Sequence, residues 1–297
     1  MLRDVLVSLI KLMFGKHQEI LLIQSSCLKQ LVLAVPDLVQ VFPRRLLAEI
    51  FMKMINSIPP GQLTENKLQT LQDLVHSELF KFPDCRQVIL PVLANRIDKV
   101  ITEPTLIAMA TSSLGDCLDC LFQTDKFHTN YDDVTTVMAQ SADYSLLRTV
   151  IQGVANRSPS DKNAPALVTN MILLFKLMTP NHFSAYIQQF DPESEAGRQN
   201  LLDFVMEVLL MFKDLIKHSI YPNDWAEMTM LMNSVILTAL RQLSHTIRDY
   251  FGATISFEVQ LWNNFFECAI SFLTQPSLQL EQFSQMKRAK ILARLVK

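Results

Sequence analysis

Cys117 and Cys120 come nearest to chemistry in this sequence: a C-x-x-C pair, with His128 eight residues beyond Cys120. Thiolates and imidazoles hold zinc, but a structural zinc site takes four ligands, with a second pair at a recognisable spacing. No second pair follows. No strand–helix–strand pattern surrounds the pair either, so a thioredoxin-type redox role lacks its context. Positions i and i+3 share one face of a helix, and the pair therefore reads as two buried thiols. The other histidines, at 17, 76, 182, 218 and 245, form no HxxxH or HExxH pair. The GxSxG nucleophile elbow and the kinase signatures are absent too. The sequence points to no cofactor, no metal and no catalytic residue.

Three further groups carry weaker signals. Lys287, Lys290, Arg294 and Lys297 step by 3, 4 and 3 and make one basic stripe on a helix. Such a stripe can meet an acidic partner or lipid head groups. A solvated face near a helix C-terminus, where the dipole favours cations, is the simpler account. Met228, Met230 and Met232 could form an adaptable surface, but thioethers also fill cores. Ser158-Pro159 offers a hydroxyl for phosphorylation in a polar loop, and reads more simply as an unmodified linker.

The elements that must position these groups are helical. Only 6 glycines occur in 297 residues, where average usage would give roughly 20. Their spacings, 46, 54, 38, 44 and 55 residues, exclude GxGxxG and P-loop cradles. They resemble one chain break per two- or three-helix unit, near the 40–47 residues of HEAT and armadillo repeats. Apolar residues recur at helical spacing over 4–14, 18–34, 44–57, 64–80 and 104–122, with Thr64 and Asp84 as candidate caps. Further helices are expected to end near Gly153 and at about 165–178, 181–189, 196–218, 224–249, 256–274 and 277–296. Pro91 lies inside the helix that starts near Pro83. Stacked helix pairs need only local contacts, whereas one bundle of this many helices would need long crossovers. The fold class is all-α, an armadillo/HEAT-like solenoid. The chain reads as one helical scaffold region, 1–297, with an internal break near the polar stretch 154–165.

Apolar residues make up 49% and charged residues 19%, so the chain folds. A net charge of −2 gives nucleic acid and anionic membranes no global attraction. Five cysteines, an odd number, fit free thiols in a reducing compartment. The N-terminal apolar stretch is broken by Arg3, Asp4, Lys11 and Lys16, unlike a signal peptide. These features together read as cytoplasmic. Residues 1–14 are apolar enough that their helix is expected to pack against something upstream in a longer protein. Trp262 and Phe266, with Phe265 and Phe272, are expected to form a buried aromatic face against the helices at 224–249 and 277–296.

The C-terminal third carries longer strings: Tyr221-Pro222-Asn223-Asp224-Trp225, Leu261-Trp262-Asn263-Asn264-Phe265-Phe266, Phe272-Leu273-Thr274-Gln275-Pro276, and Lys287-Arg288-Ala289-Lys290-Ile291. Together they resemble the helical region between the two homology modules of dedicator-of-cytokinesis (DOCK) proteins, nearest the subfamilies that activate Rac and work with ELMO adaptors. The resemblance implies a fragment of a guanine-nucleotide exchange factor for Rho-family GTPases. It places ELMO binding, membrane binding and exchange in modules outside this chain, and recruitment to the plasma membrane in the parent protein. It carries over no catalytic residue. The competing reading is an independent HEAT-like adaptor or transport receptor that binds peptides. A concave groove lined by aromatic or acidic ladders would favour that alternative.

Overall fold

The computed structural model describes residues 2–122, 145–158, 160–218, 220–221, 225–252 and 258–275. Among these residues every regular element is helical. The chain divides into two compact units, 1–189 and 190–297.

In the first unit the helices are α1 (Leu2–Met13), α2 (Gln18–Leu33), α3 (Val35–Leu38), α4 (Arg44–Ser57), α5 (Thr64–His76), α6 (Pro83–Val100), α7 (Ile107–Phe122), α8 (Ser145–Ala155), α9 (Ala164–Leu177) and α10 (Pro180–Gln188). Their buried stripes follow the 3.6-residue period. Leu6, Ile10 and Met13 are buried on α1, and Leu47, Phe51, Met54 and Ile55 on α4. Ile58-Pro59-Pro60-Gly61 ends α4, with Gly61 at φ +79°, a conformation a side chain resists. The α6 helix runs through Pro91 without a break.

These helices pack in two rows. In one row α1 lies on α4, α4 on α6, and α6 on α8; in the other α2 lies on α5, α5 on α7, and α7 on α9. From α2 to α7, side-chain hydrogen bonds between successive helices of a row keep a nearly constant sequence separation, whereas Asn170 of α9 reaches back 59 residues to the Thr111 carbonyl of α7. Asn66 reaches back 41 residues to Ser25, Gln72 reaches forward 40 to Ser112 and 44 to Asp116, and Arg96 reaches back 40 to Asn56. The structural repeat is therefore 40–44 residues, the length of a HEAT or armadillo unit.

A recurring device closes the turns. Lys67, the fourth residue of α5, donates from Nζ to the carbonyls of Ile58 (3.1 Å) and Pro59 (2.9 Å). Arg86, the fourth residue of α6, donates to the carbonyls of Phe80 (3.0 Å) and Lys81 (3.1 Å). Both side chains are fully buried. Helical Cβ atoms tilt toward the N-terminus, so a long donor in the first turn points back at the preceding turn and bonds to its carbonyls, of which that of Pro59 also accepts from the Gln62 amide. From the second turn of α2, Gln24 also reaches the α1–α2 turn, donating to the carbonyls of Leu12 (2.9 Å) and Gly15 (3.0 Å).

Two caps fall one or two residues from their expected positions. The first helical bond of α5 runs from the Lys67 amide to the Leu63 carbonyl, which makes Leu63, at φ +51°, the cap and Thr64 the first helical residue. The Arg86 amide likewise bonds to the Phe82 carbonyl, so Phe82 caps α6 and Asp84 sits inside its first turn.

The second unit contains α11 (Glu195–Lys217), α12 (Ala226–Phe251) and α13 (Val259–Thr274). Ser194 caps α11 by accepting from the Gly197 amide at 3.1 Å. A Cβ at Gly197 would lie 2.0 Å from the Phe190 carbonyl oxygen, so only glycine lets the entering chain cross α11 this closely. The most extensive packing joins α11 to α13, reinforced by the Lys213–Glu267 ion pair. Fourth-residue donors recur here: Trp262 Nε1 bonds to the Phe251 carbonyl at 3.1 Å, and Arg198 Nε to that of Pro192 at 3.4 Å.

Candidate interaction surfaces

Cys117 and Cys120 lie on one face of α7 and both are buried. The Cys120 thiol points at the Val75 carbonyl of α5, 3.9 Å away. Burial pushes its pKa up, and the carboxylates of Asp116 and Asp119 push in the same direction. A thiol held in its protonated form is a poor ligand and a poor nucleophile. His128, its sequence neighbour in the motif, lies outside the described residues. Among the described residues, no group of three or more His, Cys, Asp or Glu side chains is placed to hold a metal ion. The basic stripe of Lys287, Lys290, Arg294 and Lys297 also lies outside them. Met232 is buried in α12, while Met228 and Met230 are half-buried.

The aromatic cluster on α13 departs from expectation. Trp262 and Phe266 do stack, with ring centroids 5.8 Å apart, and Phe265 meets Phe266 edge-on at 5.7 Å. Phe266 is nevertheless 53% exposed. The buried stripe is Leu261, Cys268 and Phe272, with Phe265 half-buried along it. Phe266 sits one residue further round, about 100° away, on a second apolar stripe with Val259, Ile270 and Leu273, all exposed. The helix at 277–296 that was expected beside it lies outside the described residues.

Other apolar side chains are exposed at the first two helices: Val5 and Val7 on either side of the buried stripe of α1, Phe14 just after its end, and Leu22, Ile23 and Leu33 on α2. Between α8 and α9 a polar cavity of about 450 Å³ is lined by Thr102, Gly153, Asn156, Arg157, Ser158 and Asp161, among others. Arg157 and Asp161 pair there at 2.7 Å. Ser158 is exposed, and its hydroxyl lies 2.8 Å from that of Ser160. No described helix is long and apolar enough to cross a membrane.

Helix pairs stacked at this register define a helical-repeat protein. The sequence profile described as the dedicator of cytokinesis (DOCK) TPR region matches residues 1–296, and the chain belongs to this family. It is 27% identical over 290 residues to dedicator of cytokinesis protein 3 of Mus musculus, across 93% of this chain and 14% of that protein. To dedicator of cytokinesis protein 4 of Homo sapiens it is 26% identical over 269 residues, across 86% of this chain and 13% of that protein. The chain thus spans about one seventh of the length of these relatives. The family description names a tetratricopeptide-type region, whose typical repeat is 34 residues. The register of 40–44 residues between stacked helices is longer than that.

Proposed function

We propose that this chain is the non-catalytic helical scaffold of a DOCK-family guanine-nucleotide exchange factor that activates Rac-type GTPases, and that it holds the membrane-binding and exchange modules in register. The observation that carries this reading is the family match over residues 1–296 on a repeat stack in which the C-x-x-C thiols of Cys117 and Cys120 are buried. A stack in which each unit touches only its neighbours fixes the distance between what is joined at its two ends. Rac and ELMO engage other modules of the parent chain, which works in the cytoplasm and is recruited to the plasma membrane through those modules.

The test is nucleotide release from fluorescent-GDP-loaded Rac. The 297-residue chain is expected to leave the rate at its intrinsic value, and the parent chain to accelerate it. Excising this segment from the parent should leave exchange by the isolated module intact while uncoupling it from recruitment in cells. Substantial acceleration by the 297-residue chain alone would refute the proposal.

A further inference from the structure

Arg96 and Lys99 stand one helical turn apart near the end of α6, on a ridge between two cavities. The first, about 340 Å³, lies between this ridge and the last turn of α4 and is lined by Asn56, Pro91, Val92 and Asn95. The second, about 280 Å³, opens toward the α4–α5 turn, with Pro60, Leu68 and Val100 as its apolar wall and Thr64 and Glu103 at its polar edge. Both cations line both cavities.

The charge of this ridge is not compensated by the protein. A guanidinium carries five N–H donors. Among the described residues Arg96 has one hydrogen-bond partner, Asn56 Oδ1, at a long 3.5 Å, and Lys99 has none. No described carboxylate lies within ion-pair distance of either, Glu103 included. Arg96 is half-buried, and the neighbouring cation is the buried ammonium of Lys67, which is itself committed to two carbonyls. A half-buried guanidinium without a counter-ion, beside a second cation, costs free energy that an incoming anion would recover.

The walls narrow the choice of anion. A multiply phosphorylated small molecule prefers a wholly polar, densely basic site, whereas these cavities set aliphatic and proline surface directly beside two cations. We propose that the Arg96–Lys99 ridge is a docking site for an acidic, aliphatic-containing peptide segment, one carboxylate bridging the two cations and a flanking aliphatic side chain entering the cavity of Pro60, Leu68 and Val100. This goes beyond the scaffold role and does not depend on which modules the scaffold joins.

The experiment uses fluorescence anisotropy on the full 297-residue chain with two labelled twelve-residue probes, one repeating Leu-Glu-Glu-Leu and one with Gln in place of each Glu. The Glu probe should bind, more weakly as salt rises, and the Gln probe should bind at least tenfold more weakly. Arg96→Gln and, independently, Lys99→Glu should each weaken the Glu probe about tenfold while leaving the helical circular dichroism unchanged. Lys99 is exposed, so its substitution keeps the test valid if Arg96→Gln disturbs the fold. Equal binding of both probes, or undiminished binding by both variants, overturns the proposal. So does an Arg96-dependent interaction with inositol hexakisphosphate in the absence of Glu-probe binding, which would assign the ridge to phosphate.

Discussion

Lys67, Arg86, Arg198 and Trp262 each occupy the fourth residue of a helix and each bonds to a carbonyl of the turn before it. None of these roles was legible in the sequence. Caps are read from short polar side chains, and here long donors reach back from within the helix. Thr64 and Asp84 were attractive caps by residue type, yet the first helical bonds start from Leu63 and Phe82. Lys67 makes the device measurable. Burial, with a smaller contribution from Arg96, lowers its pKa from 10.5 to about 8. Below pH 8 both folded and unfolded chains carry the proton, and the cost of the buried charge is fully present. Between about pH 8 and 10.5 the unfolded chain holds more protons, so stability contributed by this site rises with pH. A neutral amine still has two N–H donors for its two carbonyls. Urea midpoints should therefore shift in favour of the native protein over Lys67→Met as pH rises from 8 to 10.5; a flat difference would remove the assignment. The cysteines give a second test. Cys85 and Cys268 are buried, with thiols pushed up to about 11, and Cys117 and Cys120 are buried with them, while Cys27 is half-exposed. A thiol-specific chromogenic reagent should label Cys27 first and the other four only on unfolding. Stoichiometric zinc in the purified protein, lost in Cys117→Ser, would contradict this picture of the C-x-x-C pair.

At the scale of single helices, periodicity located the elements but not always the face that each one buries. The stripe through Leu201, Val205, Val208, Phe212 and Leu215 is legible because its steps of 4, 3, 4 and 3 run unbroken along α11, and all five are buried, with Phe204, Leu209 and Met211 widening the same buried face. On α13 two apolar stripes run side by side, so the sequence offers two candidate core faces and no local signal to choose between them. The choice is made by packing against α11, which buries Leu261, Cys268 and Phe272, and the Lys213–Glu267 pair joins the same two helices. Phe272→Ala should accordingly cost about 3–5 kcal/mol through lost burial and a residual cavity. Phe266→Ala should cost less than about 1 kcal/mol, as a half-exposed side chain that touches mainly its own helix. Paired denaturant titrations separate the two faces: equal losses would mean that the Phe266 stripe is also covered in solution.

At the scale of the molecule, the repeat length was legible partly for a reason other than the one that produced it. Gly15 and Gly61 do mark turns between paired helices, but Gly115, Gly153 and Gly197 lie inside helices. Gly115 and Gly153 face Asn170 and Leu167 of α9, so their spacing reflects close approach between stacked helices and not chain breaks. Either cause recurs once per repeat, and the period survives the mistaken mechanism. What the sequence leaves open is which helix lies on which, because every amphipathic helix could serve any neighbour. The row contacts settle this for residues 1–189: each helix lies on its counterpart in the next pair. Stability of such a stack is close to a sum of unit and nearest-neighbour terms. Removing residues 1–42, the first pair and the short α3, should therefore cost mainly the α1–α4 and α2–α5 interfaces, with the smaller contact of α3 to the turn Glu78–Lys81. The chain 43–297 should keep its helical signal per residue, unfold cooperatively, and do so at a lower urea concentration. In a single closed bundle the same deletion would open the common core, and helicity would collapse throughout. Far-ultraviolet circular dichroism across a urea titration distinguishes the two outcomes, and loss of helicity in 43–297 beyond the deleted helices would refute the stacked arrangement.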